Sequence, residues 1–179
     1  MQRAARMSAA NMLRSLGPLV LLCLAIVAFT NFRQRPEERV QTVDPASTVQ
    51  LAAARAGYAV QAPAGLDRRY LTTSARTNAG NARPGTPVTL EIGYLTPARE
   101  YAGFVESDDP GAQPVHDVLD GATQHGSVDI AGATWARSTT KRGETALSRT
   151  AGAVTLLVTG SASEQELATV AGALRPYSG

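Results

Sequence analysis

Cysteine is nearly missing from this chain: Cys23 is the single one in 179 residues. That excludes an intrachain disulfide framework and any cysteine-built zinc or iron–sulfur centre. Histidine occurs only twice, at His116 and His125, and lysine only once, at Lys141. The other sixteen basic residues are arginine, a mark of GC-rich coding more than of chemistry. Aromatic residues make up just 5% of the chain, yet 44% of it is hydrophobic, too much for wholesale disorder. Sixteen glycines and ten prolines are spread along the chain, which excludes collagen-like or proline-rich low-complexity architecture. The length suits one ordinary domain plus an attachment.

A sequence pI near 9.0 invites a nucleic-acid reading, and the charge distribution argues against it. Residues 1–39 carry six arginines against Glu37 and Glu38, whereas residues 40–179 carry 11 basic and 13 acidic side chains. The basic character belongs to the attachment, and the body is mildly acidic. A phosphate-tracking face needs clustered Arg or Lys, and the body pairs them only at Arg68-Arg69 and Lys141-Arg142. No nucleic-acid partner is expected.

Between Arg14 and Arg33 lie 18 uncharged residues, SLGPLVLLCLAIVAFTNF, ten of them Leu, Ile, Val or Phe. As a helix they cover roughly 27 Å, enough for a thin hydrocarbon core. At about −0.3 to −0.6 kcal/mol for each such residue, insertion gains roughly 3–6 kcal/mol. Residues 15–32 are therefore expected to be a transmembrane helix that holds the chain in the membrane. Cleavage as a signal peptide at Ile26-Val27-Ala28 is the alternative, disfavoured by the long apolar run and the large residue at −3. Cys23 is then a small apolar residue facing lipid. Arginines are balanced on the two sides, so orientation rests on size: a short tail, 1–14, stays cytoplasmic, and the large body is exported. Residues 33–43 form a charged linker, and 44–179 an extracytoplasmic domain.

Asp44-Pro45 starts a helix that runs through Val49, Ala52, Ala53 and Ala56 to Gly57. Tyr58–Val60 reads as a short strand ended by Pro63, and residues 69–77 as a second. Residues 78–87, NAGNARPGTP, are a loop. In 88–95 Val88, Leu90, Ile92 and Tyr94 share one face, with Thr89, Glu91 and Gly93 on the other. Thr96-Pro97 repeats the cap-then-proline signal, and Tyr101, Phe104 and Val105 then suggest a short helix. Glu106–Pro114 reads as an acidic loop, and Val115–Asp120 as another short helix. A three-strand meander follows over 127–140, 144–150 and 153–159, with a split or bulge at Ala131-Gly132. The last helix opens with Ser163 and Glu166 at capping-box spacing and buries Leu167, Val170, Ala171 and Leu174. This order gives an α+β fold: one N-terminal transmembrane helix, then a mainly antiparallel sheet packed with helices. Trp135, the sole tryptophan, is expected in the core.

Catalytic and metal-binding signals are sparse. His116 and His125 have Asp117, Asp120 and Asp129 nearby in sequence, but the spacing is not that of a zinc site, and exposed histidines are the simpler reading. Glu106, Asp108 and Asp109 lack the calcium-loop pattern and read as a solvated loop. No GxSxG or SxxK motif singles out Ser74 or Ser148 as a nucleophile. Lys141-Arg142-Gly143-Glu144 lacks the phosphate-loop frame. Gly93–Pro97 turns a strand toward a helix, where N–H groups meet either a cap or an anion; capping is the simpler role. No catalytic, cofactor-binding or metal residue is assigned.

The segments LTTSAR (71–76), LEIGYLTPAREYAGFVES (90–107), GATWARSTT (132–140) and VTGSASEQELATVAGAL (158–174), behind an apolar span, resemble domain of unknown function 4245. Tyr70 stands where that family often has a tryptophan. The resemblance implies a membrane-anchored envelope protein of high-GC Gram-positive bacteria, and it implies no reaction, cofactor or catalytic residue. A PsbP-like α/β/α sandwich is the fold that pattern analogy suggests. The function expected is a non-catalytic, membrane-tethered envelope domain that binds a partner protein or envelope polymer. The alternatives are a small-molecule or lipid-binding module and an unrecognised hydrolase.

Overall fold

The chain divides into two compact units, Met1–Arg39 and Val40–Gly179. The computed structural model describes residues 41–178 together with Val20, Leu22 and Cys23. The expected tail 1–14 and most of the span 15–32 and linker 33–43 lie outside the described residues. Among the described residues, no helix is long and apolar enough to cross a membrane.

The body is α+β and opens with α1 (Ala46–Arg55). The Asp44 carboxylate accepts the Ala46 N–H at 3.0 Å, and Val49 and Ala52 form the buried face. Nine strands follow, interrupted by α2 and α3: β1 (Gln61–Pro63), β2 (Leu71–Thr77), β3 (Thr89–Leu95), β4 (Tyr101–Ser107), α2 (Gln113–Leu119), β5 (Thr123–Ile130), β6 (Ala133–Thr139), β7 (Thr145–Ala151), β8 (Val154–Gly160), α3 (Glu164–Gly172) and β9 (Leu174–Pro176). Seven strands form one antiparallel sheet in the order β2-β3-β4-β8-β7-β6-β5, and β1 pairs with β9.

Helices cover both faces of the sheet. On the inner face Leu90, Ile92, Phe104, Leu156 and Val158 pack with Val49 and Ala52 of α1 and Leu167, Val170 and Ala171 of α3. Full burial of a side chain such as Leu167 contributes roughly 1.5–3 kcal/mol. On the outer face Val105, Ala146 and Leu157 form a smaller cluster under Val115, Val118 and Leu119 of α2. Ser163 accepts from the Glu166 N–H in a complete capping box, as the spacing predicts.

Three elements differ from the sequence reading. Residues 101–107 form a strand, not a helix, because Ala102, Phe104 and Glu106 face the inner core while Val105 is buried under α2. A strand buried on both faces loses its alternation, and its apolar positions then fall by chance at helical spacing. Glu106 and Ser107 consequently belong to this strand and not to a solvated loop. Tyr58–Val60 is not a strand; Tyr58 donates to the Val88 carbonyl at 3.0 Å, and β1 begins at Gln61. The 127–140 segment is split as expected at Ala131-Gly132, where φ is 51° and 78°, into two strands. Leu174 starts β9 beyond the end of α3.

Candidate functional site

Because α2 is only seven residues long, it covers a small part of the outer face. Beside it the strands present two rows of outward residues. One row pairs Arg76 with Glu91 and Glu91 with Val105; the other pairs Ser74 with Gly93 and Gly93 with Gly103. The paired glycines leave a trough in the sheet, and the Tyr101 ring fills it. A Cβ built on Gly103 would lie 2.9 Å from the Tyr101 hydroxyl oxygen, and one on Gly93 would lie 3.0 Å from the ring.

Tyr101 is held from its own backbone. Its N–H donates to Ser161 Oγ at 3.1 Å, and its carbonyl accepts the Ala162 N–H at 3.0 Å. Ser161 in turn donates to Glu100 Oε2 at 2.5 Å. The residue nevertheless stays 48% exposed, since one ring face lies on the glycines while the other looks outward. Burial of the phenol against the sheet, and then the charges of Glu91 and Glu144, push its pKa up; Arg76 opposes them.

Around this ring lies a groove of about 450 Å³, lined by Ser74, Arg76, Glu91, Tyr101, Val118 and Arg142 among others. A second hollow, about 540 Å³, shares Val118, Arg142 and Glu144 and extends the groove to Asp117 and Lys141. Both hollows are shallow clefts of mixed charge, with Arg76 and Arg142 opposed by Glu91 and Glu144. Their chemistry suits an extended polar ligand stacked on an aromatic ring.

The residues singled out in the sequence are scattered. His116 sits on α2 and His125 on the exposed part of β5. Asp117 accepts from Gln113, Asp120 from Lys141 at 2.6 Å, and Asp129 from Thr134. Asp108 accepts the Val88 N–H and Asp109 the Gly111 N–H. Among the described residues, no group of three His, Cys, Asp or Glu side chains is placed to hold a metal ion. Ser74 lines the groove; Ser148 lies one strand beyond Leu157 in the outward row. Gly93–Pro97 leads into a strand hairpin and not a helix. The N–H just beyond it, that of Ala98, does meet an anion, but one of the chain itself: it donates to Glu166 Oε1 at 3.2 Å.

Of the groove, sequence reading found the outward positions of Glu91 and Gly93, and it missed Tyr101, Arg76 and Arg142. The available signal was the pair of small residues, Gly93 and Gly103, flanking a tyrosine in two adjacent apolar segments. The chain matches the family described as "Protein of unknown function (DUF4245)" over residues 5–174. It belongs to that family. Neither a curated protein nor a solved structure matches it. In this DUF4245 protein, the family-like segments 90–107 and 158–174 are clasped together through Glu100–Ser161 and Ala98–Glu166.

Proposed function

We propose that this DUF4245 protein is a non-catalytic binding module, tethered to the membrane by residues 15–32, with its body on the extracytoplasmic side. Its binding surface is the outer-face groove, and its partner is an envelope protein or polymer with a polar, extended segment. The observation that carries this reading is Tyr101, a tyrosine fixed flat over two glycines yet half exposed, with charges of both signs around it. Rigid aromatic platforms supply contact area at little entropic cost. Helices on both sheet faces support an α/β/α sandwich of PsbP-like type.

Lipid or apolar small-molecule binding finds less support, because the groove is open and carries charges of both signs in its lining. A hydrolase would bring a base to Ser74, and among the described residues no serine–histidine hydrogen bond is made. The test is capture from native membranes with tagged full-length chain, wild type against Tyr101→Ala. A partner retained by the wild type and lost by the folded variant is the expected result; an identical set for both overturns the groove assignment. Protease added to intact spheroplasts should digest the body, and protection until lysis would overturn the orientation.

A further inference from the structure

A second site lies on the opposite face of the sheet, at the end of the inner layer where α3 stops. Trp135 on β6 is 1% exposed, and the guanidinium of Arg149 on β7 stacks over its ring at 5.3 Å from the centroid. Arg149 Nε is buried and meets no hydrogen-bond partner. Below it opens a cavity of about 160 Å³, lined by Gln61, Trp135, Arg149, Gly172 and Arg175 with a few small apolar residues. Arg175 at the rim is held in place, since it donates to the Gly172 and Leu174 carbonyls at 2.9 and 2.7 Å. Those bonds also occupy the C-terminal carbonyl of α3 that would otherwise repel an anion.

The charge around this cavity is unbalanced. No carboxylate is in the lining, and among the described residues neither arginine enters an ion pair. The inward-facing carboxylate on the same row, Glu106, is two strands away across Leu156, roughly 9–10 Å of sheet. A buried guanidinium edge without an acceptor is costly, and stacking on tryptophan leaves its planar fork free for two parallel hydrogen bonds.

We infer that this cavity is an anion site that takes one phosphate-class oxyanion, bound between Arg149 and Arg175 with Trp135 as its floor. Two guanidiniums and no opposing carboxylate match a dianion better than a single carboxylate, and the volume has room for one phosphoryl group. The site is separate from the outer groove and does not depend on its function. The phosphoryl group can come from free phosphate or from a lipid monoester headgroup.

Trp135 is the only tryptophan, so its emission reports occupancy directly. Full-length protein in detergent is titrated with inorganic phosphate at constant ionic strength, then with micelles doped with phosphatidic acid. A saturable emission change in either arm is expected, and the arm that saturates at lower concentration identifies the source. Arg149→Lys keeps the charge and loses the fork, and should weaken binding about tenfold or more. Arg175→Gln, on the exposed rim, should do the same without endangering the fold. Three outcomes overturn the site: no saturation in either arm, saturation unchanged in the folded Arg175→Gln variant, or acetate binding as tightly as phosphate.

Discussion

Glu106 Oε2 accepts the Gln61 N–H at 2.9 Å, while Glu106 Oε1, equally buried, meets no partner. The carboxyl lies on the inner face of a central strand with no exposed surface. Burial pushes its pKa up to about 7 from the ordinary 4.5, although the Gln61 bond pulls the other way. A carboxyl raised on folding binds its proton more tightly in the native state. Its stabilising effect is complete below the unfolded value and is lost as pH rises through the native one. Stability from this group should therefore fall between about pH 4.5 and pH 7, by about 3 kcal/mol in all. Glu106→Gln mimics the protonated form. Denaturant unfolding across that range should show the variant gaining on the wild type as pH rises, and parallel curves would refute the assignment.

Trp135 gives a second prediction. It is 1% exposed and pairs across the strands with Val128. Trp135→Ala should cost about 3–5 kcal/mol, partly through the cavity left under Arg149. Native emission should be blue-shifted relative to the unfolded chain, and water-like native emission would contradict the burial.

These sites differ in how far the sequence reveals them. The β3 alternation, the capping box at Ser163 and Glu166, and the turns at 141–143 and 151–152 are local patterns, and the structure reproduces them. Trp135 as core follows from hydrophobicity and strand context. What stays hidden is which strand sits in the middle. Tyr101–Ser107 pairs with both β3 and β8, and that placement buries Glu106, an acid that local sequence assigns to solvent. Arg149 is likewise an ordinary strand residue until β6 brings Trp135 beside it. Long-range pairing, not local propensity, builds both the groove and the cavity.

The trough under Tyr101 predicts an energetic coupling. The three atoms nearest a Cβ on Gly103 all belong to Tyr101, the hydroxyl at 2.9 Å and ring atoms at 3.1 and 3.3 Å. Gly103→Ala alone must lift the ring, whereas in a Tyr101→Ala background the same methyl escapes that clash and improves strand propensity. A double-mutant cycle on unfolding free energy should give a coupling of about 1 kcal/mol. Simple additivity would mean that the ring does not rest on the glycine.

Glu166 makes the opposite pH prediction to Glu106. Its carboxylate completes the α3 capping box and also accepts from the β3–β4 hairpin at Ala98. Hydrogen bonds, from Thr96 first and then from Ala98 and Ser163, hold its pKa below the usual glutamate value. A lowered carboxyl stabilises above its unfolded value, and that contribution is lost as pH falls through the lower native one. Glu166→Gln should therefore weaken the fold near neutrality and match the wild type only in acid. Ser163→Ala removes the reciprocal half of the box and should cost about 1 kcal/mol at neutral pH. Amide exchange separates the two roles. If Glu166 joins helix to hairpin, Glu166→Gln should speed exchange at Ala98 as well as in the first turn of α3, while Ser163→Ala should affect the helix more than the hairpin. Unchanged exchange at Ala98 in the Glu166 variant would reduce this residue to a helix cap.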